Sequence, residues 1–176
     1  MGPRPRKLAL TAHVASTVGW LGAVAASLAL AVASLTGQDA RVVRASYLAM
    51  NSVGESVLVP LALASLLIGR VQSLGTAWGL FRHYWVLAKL LMNVLAIVVL
   101  LLYMQILGYL AGLAADPGAD LGVLRNPSPA LHAGAALLLL LVATTLSGYK
   151  PRGVTRYGRR RKQHVGGPGL GNTEGP

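Results

Sequence analysis

The chain has 176 residues, 54% of them hydrophobic and 12% charged, with a formal net charge of +11. Soluble domains carry about 25% charged residues, and the apolar residues here come in long blocks without alternation or heptads, which places the chain in the membrane class. Cysteine is absent, so disulfides, thiolate metal sites, c-type haem attachment and cysteine catalysis are excluded. The cations cluster at the two ends: Arg4, Arg6 and Lys7 at the start, and Lys150, Arg152, Arg156, Arg159, Arg160, Arg161 and Lys162 in the tail. That is the pattern of segments held in the cytoplasm. No aromatic-bearing binding domain accompanies the tail, so no nucleic-acid partner is expected.

The pattern predicts four spans, from about Leu8 to Leu35, Met50 to Ile68, Tyr84 to Leu113 and Ala130 to Leu146. Each is near or above the roughly 20 residues needed to cross hydrocarbon, although the fourth is short. The first apolar stretch is longer than a signal-peptide core, so no cleavage is expected despite Ala31-Val32-Ala33. Between the first two spans, Thr36 to Ala49 reads as a connection beginning a helix along the outer surface. Pro60 should kink the second span. Val71 to His83 reads as a short inner loop with an aromatic cluster at headgroup level. Ala115 to Pro129 is an outer loop rich in turn formers. Small residues at Ala15, Gly19, Ala23 and Ser27, and at Gly22, Ala26, Ala29 and Ala33, make two stripes suited to close helix contact.

Orientation follows from the cations. With both termini inside, Arg70 and Arg82 join the terminal clusters in the cytoplasm, leaving Arg41, Arg44 and Arg125 outside, with Lys89 inside the third span. The expected fold is all-α: a polytopic four-helix membrane bundle over residues 1–148, N-in and C-in. A basic, then Gly/Pro-rich cytoplasmic tail over 149–176 cannot bury a core and is expected to be disordered.

Ionisable side chains within spans are costly and so mark candidate sites. His13, Ser16, Thr17 and Trp20 share a face of the first span, Asn51 and Glu55 one of the second, and Lys89 and Asn93 one of the third. Span positions put His13 and Lys89 near the inner edge and Glu55 and His132 near the outer one. An inner site of His13, Lys89 and Asn93, and an outer Glu55–His132 pair, are both compatible with these depths. The alternatives are a neutral headgroup-level histidine, a snorkelling Lys89 and a Glu55 bonded to Asn51. No nucleophile elbow, phosphate loop, zinc-protease pair or carboxylate dyad is present, and no enzyme is expected. A b-type haem would need two facing histidines, for which His13 and His83 are the couple to consider. Copper would suit His13 or His132 with Met50, Met92 or Met104.

His13 followed by Trp20-Leu21-Gly22, and Leu74-Gly-Thr-Ala-Trp-Gly79 leading to Leu87-Ala-Lys89, resemble motifs of the bacterial copper-resistance protein D (CopD) superfamily. The resemblance covers residues 8 to about 148 and carries over to His13, Trp20, Gly22 and Lys89. This chain has four spans where that protein has eight, and Ala77 stands in place of a proline. It is similar to the small four-span CopD-like proteins without assigned function. The resemblance implies copper or small-cation handling in a bacterial plasma membrane. Support of an unidentified protein partner, a haem electron carrier and a purely structural role remain alternatives.

The bilayer is the partner the chain requires, and anionic lipid headgroups are the expected contact of the basic tail. Each cation near an anionic leaflet contributes about 1 kcal/mol. Replacing Arg159, Arg160, Arg161 and Lys162 with Gln is therefore expected to give a mixed topology, read from a C-terminal reporter. An unchanged reporter and undiminished binding to anionic vesicles would show these charges to be merely solvated.

Overall fold

Hydrocarbon offers a backbone no hydrogen-bond partner, so a lipid-exposed spanning segment must close its own bonds as helix or as a closed barrel. The computed structural model describes residues 3–74 and 84–149, and every regular element among them is helical. Four helices are long and apolar enough to cross a membrane. The aromatic cluster of the inner loop, His83 and the basic tail lie outside the described residues.

Helix α1 runs from Pro3 to Thr36. A tight turn at Gly37 and Gln38 leads to Asp39, whose carboxylate accepts the Arg41 N–H at 2.8 Å and caps α2, Ala40–Val53. A single π-helical turn, Gly54–Leu58, joins α2 to α3, Val59–Leu74. The three pieces act as one rod whose apolar run is Ala40–Val71. The second span therefore begins at Ala40, within the stretch that hydropathy assigned to an outer connection. Pro60 has no N–H to donate, and the chain meets it with the π turn, in which the Val59 N–H reaches back to the Gly54 carbonyl. Helix α4, Tyr84–Ala115, is followed by the one-turn α5, Leu121–Leu124, and then by α6, Ser128–Tyr149.

Helix α1 packs against the α2–α3 rod and against α6, and α4 packs against the same two neighbours. The spans thus form a ring in chain order, the arrangement that short connections between antiparallel helices favour. Two apolar clusters fill it. One gathers Ala31, Val43, Tyr47, Met50, Leu107, Leu110, Ala114 and Leu124. The other, further along the bundle, gathers Trp20, Val24, Leu58, Ala62, Ile97 and Leu140. Gly19 permits close approach of α1 to the rod, because a Cβ there would sit 3.0 Å from Leu61. The stripe of Gly19, Ala23 and Ser27 faces inward, whereas Gly22, Ala26 and Ala29 are exposed.

The first cluster is closed by polar staples at one end of the bundle. Arg44 fans its guanidinium over the end of α4 and the following turn. It donates to the carbonyls of Leu113 at 3.4 Å, Ala114 at 3.3 Å, Pro117 at 3.1 Å and Ala119 at 2.8 Å, and also to that of Asp116. These include carbonyls that a helix C-terminus leaves without partners, and a cation there also complements the helix dipole. Tyr47, fully buried, donates its hydroxyl to the Leu124 carbonyl at 2.6 Å. Arg125 donates to the Gly37 carbonyl at 3.0 Å. The α1–α2 hairpin is thereby tied to the α4–α6 connection at three points.

Hydrogen bonds from a charged donor contribute about 1.5–3 kcal/mol net. Arg44→Ala is expected to lower stability by roughly 2–3 kcal/mol, measured by reversible unfolding in mixed micelles. Arg41→Ala, on an exposed neighbour of the same helix, should cost much less; equal losses would show that Arg44 acts by charge alone.

Candidate functional site

Two polar groups and one apolar cleft stand out, the first group half-buried between helices and the second centred on exposed His132. The first site is at the His13 end, opposite the Arg44 staples. His13 is half-buried on α1, and its carbonyl accepts the hydroxyls of Ser16 at 3.0 Å and Thr17 at 2.8 Å. The Thr17 hydroxyl also meets that of buried Ser65 on α3 at 3.0 Å. The imidazole packs against Gly69, where a Cβ would stand 3.1 Å from His13 Cε1. Only glycine leaves the ring this room. Its Nδ1 is buried without a hydrogen-bond partner among the described residues. Lys89 on α4, also half-buried, lies within electrostatic range of the ring. The structure thus brings His13 and Lys89 to one level and adds Thr17, Ser65 and Gly69. Asn93 is half-buried one turn beyond Lys89, with no bond to His13. Trp20 is 3% exposed and packs in the apolar core with Val24 and Leu58.

The second site lies toward the other end. Tyr103 on α4 stacks on His132 of α6, with ring centroids 4.0 Å apart and planes 17° from parallel. The Tyr103 hydroxyl reaches the Ser128 hydroxyl at 3.4 Å. His132 Nδ1 lies 2.9 Å from the Ser128 carbonyl. A carbonyl only accepts, so Nδ1 carries the proton and neutral His132 keeps Nε2 as an acceptor or ligand atom. Ser128 is placed for this by the helix start, where Asn126 Oδ1 accepts its N–H at 2.9 Å.

Beneath this pair an apolar cleft of about 300 Å³ runs between the spans. Val24 and Ser27 of α1, Met50 of α2, Leu100 and Met104 of α4, and Ala136 of α6 are among its walls, with Tyr103 and His132 at its polar end. Ser27 is 8% exposed, and its hydroxyl has no partner among the described residues. Hydropathy alone gave no sign of this cleft; it arises where Ala96, Ala133 and Ala136 leave the α4–α6 side thinly filled.

Glu55 and His132 are not joined. Asn51 Nδ2 donates to Glu55 Oε1 at 3.1 Å, while His132 is held by Ser128 and Tyr103. They sit on spans that do not adjoin in the ring, α6 packing against α1 and α4, and Glu55 is exposed on the rod. Glu55 lies about 22 Å along it from Ala40 at 1.5 Å per residue, near the middle of the apolar run rather than one turn from its end. Among the described residues no group of three or more His, Cys, Asp or Glu side chains gathers, and His13 and His132 lie in separate places, one against Gly69 and the other on Tyr103.

No protein-family model, curated protein or solved structure matches this chain.

The contact between His13 and Gly69 has a measurable consequence. Overpacking of this kind costs about 1–3 kcal/mol. Gly69→Val should lose stability in that range, and the loss should largely vanish in a His13→Ala background. A loss independent of residue 13 would place the strain elsewhere.

Proposed function

We propose that this chain is a non-enzymatic, multi-pass protein of a bacterial plasma membrane, both termini cytoplasmic, that holds a small amphipathic lipid-like molecule within its bundle. The apolar cleft carries this reading. Its volume of about 300 Å³ falls at the lower end of ligand sites, which are mostly apolar with a few placed polar groups. Ser27 in its wall, with an unmet hydroxyl, and the Tyr103–Ser128–His132 group at its end supply those polar groups. The apolar part of the ligand lies along Leu100 and Met104, and its polar end meets the Nε2 atom of His132. The cation asymmetry of the sequence supports the orientation.

Copper handling, which the CopD-like motifs imply, is the second reading. Met50, Met104 and His132 line the same cleft, and thioether with imidazole suits Cu(I). These residues would hold the ion, which supplies a soft Lewis-acid centre when bound. The couple His13 and His83 considered for a haem includes a residue outside the described ones, and the described residues of the cleft offer no second histidine beside His132. The ring of His13 is pressed against Gly69.

The test is mass spectrometry of organic extracts from the mildly solubilised protein, with Cu(I) titrated against a chromophoric chelator. Ala136→Phe should abolish a co-purifying amphipathic species while leaving helix content unchanged. Extracts identical for both proteins would overturn the lipid reading. Retention of Cu(I) lost on Met50→Leu or Met104→Leu would favour the second.

A further inference from the structure

The lipid-facing surface beside Glu55 is polar where hydrocarbon should meet it. Glu55 and Ser52 are both exposed on the rod. Across the seam between the rod and α4, Gln105 is exposed too and makes no hydrogen bond among the described residues. The seam fixes the levels of these groups. Gly54 faces Met104, since a Cβ there would stand 2.6 Å from its sulfur, and Asn51 Oδ1 lies 3.7 Å from the Cβ position of Gly108. Glu55 and Gln105 therefore flank one seam at one depth, near the middle of the bilayer. Asn51 spends its amide N–H on Glu55, but its own oxygen is buried and unpartnered.

A carboxyl group and an amide facing lipid at mid-depth are costly, and residues of this kind usually turn toward a partner. Gln105, Tyr109 and Gly112 follow an i, i+4, i+7 stripe, and all three are exposed. Gly112 has nothing within 4 Å of its Cβ position, so a second backbone has room to approach. We propose that the occupant of this face is a second copy of the chain, related by a two-fold axis along the membrane normal. Such an axis keeps depth unchanged and makes a self-complementary contact. Glu55 of each copy then accepts a hydrogen bond from the Gln105 amide of the other. Donor and acceptor at matched depth on the two sides of one seam are what this symmetry requires; this complementarity selects a second copy over an unrelated protein.

Because the chain has no cysteine, single cysteines report the contact directly. Gly112→Cys, oxidised in native membranes, should give a band at twice the monomer mass. Val18→Cys and Leu138→Cys, exposed on α1 and α6, should not. Glu55→Leu should reduce the Gly112 cross-link about tenfold, as loss of interhelical hydrogen bonds worth 1–2 kcal/mol implies, and Glu55→Gln should retain it. Thermal unfolding of each variant in detergent confirms that the monomer is intact. No doublet at Gly112, equal doublets at Val18, or indifference to Glu55→Leu would overturn the proposal. So would an adduct of another mass, which would assign the face to a different protein.

Discussion

Arg44 is the interaction on which the rest of the bundle depends. A helix ending near a membrane surface leaves several carbonyls without donors, and hydrocarbon cannot supply them. One guanidinium, with its fixed fork of N–H groups, covers the end of α4 and the turn beyond it. Because Arg44 belongs to the second span, this bond fixes the depth of α4 relative to the rod. Tyr47 and Arg125 repeat the device on α5 and on the first turn. The helices can then be smooth and alanine-rich along their length, since their register is set at one end.

That division of labour shapes the interior. The stapled end packs tightly around Tyr47 and Leu124, both fully buried. The middle is looser, with small residues on α6 opposite α4, and there the cleft appears. The far end is again polar, through His13, Thr17 and Ser65. The cleft thus lies between two polar levels.

The long apolar blocks made the all-helical, four-span character legible. Leu8 to Leu35 and Tyr84 to Leu113 lie within α1 and α4. The start of the second span was not legible, because Arg41 and Arg44 lower the local hydropathy. A window average cannot know that Arg44 will spend its charge on carbonyls near residue 115. The same blindness misplaced Glu55, whose depth was counted from Met50 instead of Ala40. The shared level of His13 and Lys89 was readable from helical rise alone. Gly69 was not, since its role is visible only as the space beside a ring. The cleft was equally hidden: an absence of atoms between α4 and α6 has no periodicity.

The π turn at Gly54–Leu58 has a consequence for rotational phase. A π turn accommodates one residue more than an α turn, and each residue advances a helix by about 100°. All of α3 is therefore turned by about that angle relative to an uninterrupted continuation of α2. This offset lets one rod serve two differently oriented neighbours: Asn51 and Gly54 look toward α4, while Ser65 and Gly69 look toward α1. Removing a single residue from this turn would leave the composition and hydropathy of the span almost untouched. It would nevertheless swing Ser65 and Gly69 out of alignment with Thr17 and His13, so chain length here encodes the angular setting of the whole lower half.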